Sequence, residues 1–326
     1  LQLVLLNLYQ KFNIMKSFLK PALQGILTAA LILSAPSCKS NYEKESYTFE
    51  YITVPSLIND ESGRIDFLSR HFWDNLPWDD TTAAIPAEII QKPFEDYLKI
   101  LASGSLNSAS AGLRAHAERC AGSGWNIQEP FIELFEKTLY NPNSPYRNEE
   151  LYITVAEGFL SGDKLMPGAS ERFAFQLQTL QKNRPGMIAG NFSIITSKGE
   201  EIALYSIKSS YTMIFFYEPD CNSCTSNKDY IISSDIFSKA DKKLRILAVY
   251  TGTDYDNWRK HAANFPENWI IGYDKDNMVI TEQLYDRRAS PSVYILDKDK
   301  KVMLKDADAY TAEEFVSRNI LRQPLQ

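Results

Sequence analysis

The spacing of apolar side chains changes once along this chain. From Arg64 to Asn183 they recur at three and four residues, the period of an amphipathic helix. In "RIDFLSRHFWDNL" the residues Ile65, Leu68, Phe72 and Leu76 form one stripe. "PAEIIQKPFEDYLKIL" continues in kind, with a proline at its first helical position and Pro93 expected to kink or divide it. "FIELFEKTLY", "NEELYITVAEGFL" and "ERFAFQLQTLQ" supply further helices. Turn clusters at 121–124 and 141–148 separate them, and Asn148 is placed to cap the helix that Glu149 and Glu150 begin. No fixed repeat period argues for a solenoid. The expectation is an all-α helical domain over 61–183, preceded by a polar tether over 38–60 with a short extended piece in "YTFEYITV".

After "NRPG" at 183–186 the rhythm shortens. "FSIIT", "EIALYSI", "TMIFFY", "LRILAVY", "WIIGYD" and "PSVYILD" are apolar runs rich in β-branched and aromatic residues, bounded by turn signals, and they predict strands. Helix-like stretches lie between them, at Ser223 to Ala240, Asp254 to Phe265, Val279 to Leu284 and Thr311 to Leu321. "DKDKK" joins "PSVYILD" to "VMLKD" as a hairpin. An opening strand pair, then β-α-β-α, a hairpin and a closing helix predict an α/β domain over 184–326, a mixed sheet with helices on both faces.

Composition adds limits. A chain of 326 residues is long enough for two cores, and 44% hydrophobic with 23% charged residues is ordinary for a globular protein. The net charge of −6 lacks the electrostatic footprint of a nucleic-acid binder, so no nucleic-acid partner is expected.

The N-terminal 37 residues are set aside from the fold. From Met15 the chain reads "MKSFLKPALQGILTAALILSAPSC", with Lys16 and Lys20 ahead of an apolar stretch from Ala22 to Ala35 that is too short to span a bilayer as a stable helix. This resembles a bacterial lipoprotein signal, in which the cysteine, here Cys38, becomes the lipidated first residue. Ala35 stands where leucine is usual, and Pro36 is atypical. Residues 1–14 lie upstream of this start and are expected to be a non-native extension. Residues 1–37 hold three lysines and no acid, so their removal takes the charge from −6 to −9. The resemblance implies export to the cell envelope, a lipid anchor and a periplasm-facing protein, an outer-membrane lipoprotein being one form of it.

Export changes the meaning of the four cysteines. With Cys38 carrying lipid, Cys120, Cys221 and Cys224 remain, an odd number that cannot all pair within one chain. Cys221 and Cys224, in "FFYEPDCNSC", fall at the switch from strand to helix, three residues apart, close enough for a disulfide. The first would face unpaired N–H groups and the positive end of the helix dipole, which favour a thiolate. The second would attack a mixed disulfide and release product. A permanent staple across so short a loop would constrain little of the unfolded chain. Zinc needs four ligands; His116 and Cys120, four apart, could complete a site only across the domain junction, and no metal is expected. Cys120 reads as a partly buried thiol near a helix end, and His71 and His261 as ordinary structural or surface histidines.

"MIFFYEPDCNSC", with "RPGMIAGNFSI" upstream and "ASPSVYILDKDKKVMLKDA" downstream, resembles the redoxin domain of membrane-anchored, TlpA-type bacterial thiol–disulfide oxidoreductases, over about Arg184 to Leu321. The fold implied is thioredoxin-like. "HFWDNLPWDD" and "LYNPNSPYRNEELY" make the helical half similar to the uncharacterised domain found before such redoxin domains. The resemblance implies that Pro291 takes a cis bond beside the cysteines and, with Ser290, helps dock substrate.

The departures are local. Asp220 replaces the tryptophan common before the first cysteine, and Asn222 and Ser223 intervene between the pair. Phe215 and Asn227 stand six residues before and after Cys221, where relatives carry an acid, so the proton acceptor for Cys224 is unassigned. Glu218 and Asp220 would oppose a thiolate at Cys221 and Lys228 would assist it. The peroxidase pattern of this fold is missing at both cysteines. The expected function is reduction of disulfides on exported proteins, Cys221 attacking and Cys224 resolving, with no organic cofactor and with electrons from a membrane donor. The alternative is a thioredoxin-like binding module whose cysteines are incidental.

Overall fold

The computed structural model describes residues 48–79 and 85–322. Cys38, the expected leader and the first part of the expected tether lie outside the described residues. The chain divides into two compact units between Phe173 and Ala174. Among the described residues no helix is long and apolar enough to cross a membrane.

The first unit is helical. Helix α1 spans Glu61–His71, α2 Ala87–Ser103, α3 Leu106–Gly122, α4 Trp125–Phe135 and α5 Glu149–Leu160, while α6, Ala169–Leu180, crosses the division. Three of them begin at side-chain caps that accept an orphan N–H: Asp60 from Gly63, Ser105 from Ser108, and Asn148 from Leu151, the last as expected from the sequence. Pro93 does not divide α2, which is continuous across it. The missing N–H costs one hydrogen bond. Burial of Ile90, Phe94, Tyr97 and Leu101 on one face holds the helix on both sides of it. Pro86 is the N-cap of α2 rather than its first helical residue. Helix α1 ends at His71, so Phe72 and Leu76 fill the core from the turn that follows.

That core is aromatic. Trp73 stacks on His116 at 5.1 Å, Phe131 meets both rings edge-on, and Phe159 stacks on Phe173 at 4.9 Å. Residues 48–54 form no strand. Phe49, in the stretch expected to be tether, is buried against Phe72 and Trp73.

The second unit is built on a seven-stranded sheet in the order β2-β1-β5-β4-β3-β6-β7. The strands are β1 Ser193–Thr196, β2 Glu201–Ala203, β3 Tyr211–Tyr217, β4 Leu244–Tyr250, β5 Ile270–Tyr273, β6 Ser292–Asp297 and β7 Val302–Ala307. Strands β3, β4 and β5 run parallel; β6 pairs antiparallel with β3, and β1 with β5. Each strand run expected from the sequence forms a strand, although "EIALYSI" leaves the sheet after Ala203 in a 3₁₀ turn.

Alternation along β3 sends Met213, Phe215 and Tyr217 to one face and Ile214 and Phe216 to the other. The first face packs against α7 Asn222–Ser233, α8 Asp235–Ala240, α9 Tyr255–Ala262 and α11 Ala309–Phe315 through Ile231, Phe237, Trp258 and Ala312. The second takes Leu204 and Val279, the latter from the short α10 Met278–Thr281. The stretch expected as one helix from Ser223 to Ala240 is two, because Ser234 adopts extended backbone and its hydroxyl caps Ile236 and Phe237.

Candidate active site

The register of three strands makes the site. Tyr217 at the end of β3 pairs with Tyr250 at the end of β4, and Phe216 pairs with Ser292 at the start of β6. The residues just beyond those ends are therefore neighbours: Glu218 to Cys221 after β3, Thr251 after β4, and Ser290 and Pro291 before β6. Clefts at the carboxyl ends of parallel strands are the usual ligand sites of open α/β sheets.

Cys221 is the N-cap of α7. Its Sγ accepts the backbone N–H of Cys224 at 3.1 Å, and its thiol lies 3.7 Å from the Ser290 carbonyl oxygen. The Ser290–Pro291 peptide is cis. Cys224 sits one turn inside the helix and is buried, and its Sγ accepts the Glu218 backbone N–H at 3.5 Å. Burial, and then the interaction with the Cys221 thiol, push the Cys224 thiol up to about 12. The structure thus brings together Cys221, Cys224, Ser290 and Pro291, four residues that the sequence singled out, with the outer sulfur half-exposed and the inner one protonated.

The acids near the pair behave differently from one another. Asp220 is exposed and held by Asn257 Nδ2 at 2.7 Å, with His261 Nε2 at 3.9 Å. Glu218 is partly buried and faces Arg287, whose Nη2 lies 3.4 Å from Glu218 Oε1. Burial raises the Glu218 carboxyl above the usual range, and the charge and hydrogen bond of Arg287 act against that rise. Lys228 lies on α7 with its ammonium 5.5 Å from the Phe265 ring centre and 3.4 Å from Asp229.

Arg287 is the residue that sequence reasoning missed. It lies in the loop before β6, and its side chain is only 8% exposed. Its guanidinium sits 4.9 Å from the Phe216 ring centre, Nη2 reaches Ser290 Oγ at 3.3 Å, and Nε reaches Thr251 Oγ1 at 3.4 Å. One side chain therefore ties together the ends of β3 and β4 and the loop carrying Pro291. Nothing in "LYDRRASPS" separates Arg287 from Arg288, which instead pairs locally with Asp286.

A small cavity of about 30 Å³ opens behind Cys224, lined by Tyr217, Glu218, Lys228, His261 and Phe265 among others. His261, read from the sequence as ordinary, belongs to this wall. Phe215 is fully buried in the sheet, and Asn227 is spent on structure, donating to Ser223 and accepting the Ala309 N–H. In the other unit Cys120 is fully buried, not partly, with His116 Nε2 3.6 Å from its sulfur. Burial raises the Cys120 thiol far above the usual range and lowers His116 to about 3, so both are neutral and enclosed.

A crystal structure of a thioredoxin-like protein from Bacteroides caccae is 34% identical to this chain, with a TM-score of 0.78; the match covers 84% of this chain and 99% of that one. The chain belongs to the thioredoxin-like proteins. Residues 33–183 of this thioredoxin-like protein match a family described as a domain of unknown function, DUF5106. The C-terminal domain of an uncharacterized protein from Bacteroides fragilis is 36% identical over 41% of this chain and 98% of its own, with a TM-score of 0.41. The thioredoxin domain of a thiol-disulfide oxidoreductase from Bacteroides vulgatus is 22% identical over 41% of this chain and 98% of its own, with a TM-score of 0.36. No curated protein matches the chain.

Proposed function

We propose that this thioredoxin-like protein is an exported thiol–disulfide oxidoreductase that reduces disulfides on other envelope proteins. The observation that carries the reading is Cys221 at the helix N-cap, its sulfur accepting a backbone N–H and lying against the Ser290 carbonyl, with a buried second thiol one turn on. A sulfur in that setting is oriented as a nucleophile at the mouth of a helix dipole. Cys221 attacks a substrate disulfide and forms a mixed disulfide, releasing one substrate thiol. Cys224 then attacks Cys221 Sγ, the bond to the substrate breaks, and the substrate leaves as its second thiol. Two electrons have moved to the substrate, and the enzyme holds a Cys221–Cys224 disulfide. A membrane donor returns the electrons. Ser290 and Pro291 line the face on which the substrate strand docks. The protein is anchored through lipid on Cys38, facing the periplasm, with the helical unit between the anchor and the redox unit in the chain.

Insulin reduction by dithiothreitol tests the activity, with Cys221→Ser beside the wild type. The wild type is expected to accelerate insulin precipitation and the variant to fall to the uncatalysed rate. A wild type at background, matched by its variant, would leave a thioredoxin-like binding module. Cys224→Ser is expected to accumulate mixed disulfides with envelope proteins, visible as bands that collapse on reduction.

A further inference from the structure

Resolution of the mixed disulfide needs Cys224 as a thiolate, yet this thiol is buried and pushed up to about 12. Some group must take its proton at the moment of attack. The two positions where relatives of this fold hold an acid are occupied by Phe215, inside the sheet, and Asn227, whose amide is engaged at both ends.

The cavity behind Cys224 narrows the choice. At about 30 Å³ it has room for a water or two, between walls that mix Phe215, Pro219 and Phe265 with polar side chains. Its titratable walls are Tyr217 on β3, Glu218 after it, Lys228 on α7 and His261 on α9. Tyr217 is held protonated by burial and has no site of base strength to offer. The Lys228 side chain is turned to Asp229, 3.4 Å away, and to the Phe265 ring. His261 has Nδ1 on the Asn257 carbonyl, which makes that nitrogen the donor, and its remaining Nε2 faces Asp220. Glu218 is different. Its own N–H is bonded to the Cys224 sulfur, which fixes the residue beside the thiol. Only Oε1 of its carboxylate is engaged among the described residues, by Arg287.

We propose that Glu218 is the proton acceptor for Cys224, reached through water in this cavity, and that Arg287 is the positioning residue that holds its carboxylate. The assignment rests on the oxidoreductase reading and deepens it. In the mixed disulfide the Cys224 S–H proton passes by way of water to the Glu218 carboxylate. The electron pair left on Cys224 Sγ forms the bond to Cys221 Sγ, and the Cys221–substrate S–S bond breaks with both electrons on the substrate sulfur. That thiolate takes a proton from solvent, and Glu218 later returns its own to solvent. Partial burial raises the Glu218 carboxyl and the Arg287 charge acts against that rise, so the acid stands beside the thiol with its cation already in place.

A single-turnover reaction of the reduced protein with dithiobis-nitrobenzoate, in a chain carrying Cys38→Ser, separates the two steps. The first burst of coloured thiolate reports Cys221 attack and the second reports resolution by Cys224; Cys120 is fully buried and reacts outside both phases. Glu218→Gln is expected to slow the second phase by about 10²-fold at neutral pH, the scale of one general base, and to flatten its pH profile. Glu218→Asp should recover part of the rate. Arg287→Met should move the acidic limb of the second phase to higher pH, because burial then acts on Glu218 unopposed. A first phase of wild-type rate, with an unchanged circular dichroism spectrum and melting temperature, reports in each variant that the site is folded. A second phase of wild-type rate in Glu218→Gln overturns the assignment, as does the same slowing produced by Lys228→Met or His261→Gln. Failure of the first phase in the Cys38→Ser chain itself instead removes the oxidoreductase reading on which the assignment stands.

Discussion

Glu218 and Arg287 stand 69 residues apart in the chain and 3.4 Å apart in the molecule. At the residue scale this contact adds what the sequence lacked: the acid three before Cys221 has a cation beside it. The cysteines, Ser290 and Pro291 were legible because the family resemblance and the helix start place them. Arg287 carries no such mark, since its role depends on which loop closes over β3. His116 shows the same gap, a histidine in an ordinary helical pattern that proves enclosed by Trp73, Phe131 and Phe135. Its folded-state pKa of about 3 lies below the unfolded value near 6.5, so below 6.5 the unfolded chain binds a proton that the folded one does not. The stability is complete above that pH and falls as pH drops toward about 3, by about 1.4 kcal/mol per pH unit from this group. Denaturant melts at pH 6.5 and 4.5 should show His116→Leu losing about 2 kcal/mol less than the wild type over that interval. Equal losses would mean that His116 is protonated in the folded protein.

Elements were the most legible level, because the period of apolar side chains is a local property of the chain. Every strand run in the second unit lies where its β-branched and aromatic residues do. Apart from the stretch around Phe49, expected as tether and buried in the core, the misreadings concern ends and breaks. Pro93 marked a division that the buried face of α2 overrides, and Ser234 made a break that composition alone did not announce. Packing between elements sets a further demand at Gly112. A Cβ there would stand 2.1 Å from the Ser69 carbonyl oxygen and 2.7 Å from its carbon, because α3 crosses α1 at backbone contact. In an exposed helix Gly→Ala gains up to about 1 kcal/mol. Here Gly112→Ala should cost about 2 to 3 kcal/mol by overpacking, measured by chemical denaturation. A stabilised variant would mean that the two helices do not approach so closely.

For the whole molecule, the proposed lipid anchor on Cys38 can be tested apart from the proposed activity. Expressed with its leader in a bacterial host, the chain should partition with membranes, and Cys38→Ser should move it to the soluble envelope fraction without loss of insulin reduction. Membrane partition unchanged by the substitution would remove the lipid anchor from the proposal. The sequence by itself determined a helical half and an α/β half, a thioredoxin-like order of strands, and a cysteine pair at a strand-to-helix junction. All of these are encoded in short-range periodicity, turn chemistry and spacing. Only the tertiary structure decided that Glu218 has a cation, that His261 faces the wall behind Cys224, and that Cys120 is sealed away beside His116. These depend on which distant segments are brought side by side, through strand register in the second unit and helix packing in the first. A contact made across dozens of residues leaves no periodic trace in the chain that makes it.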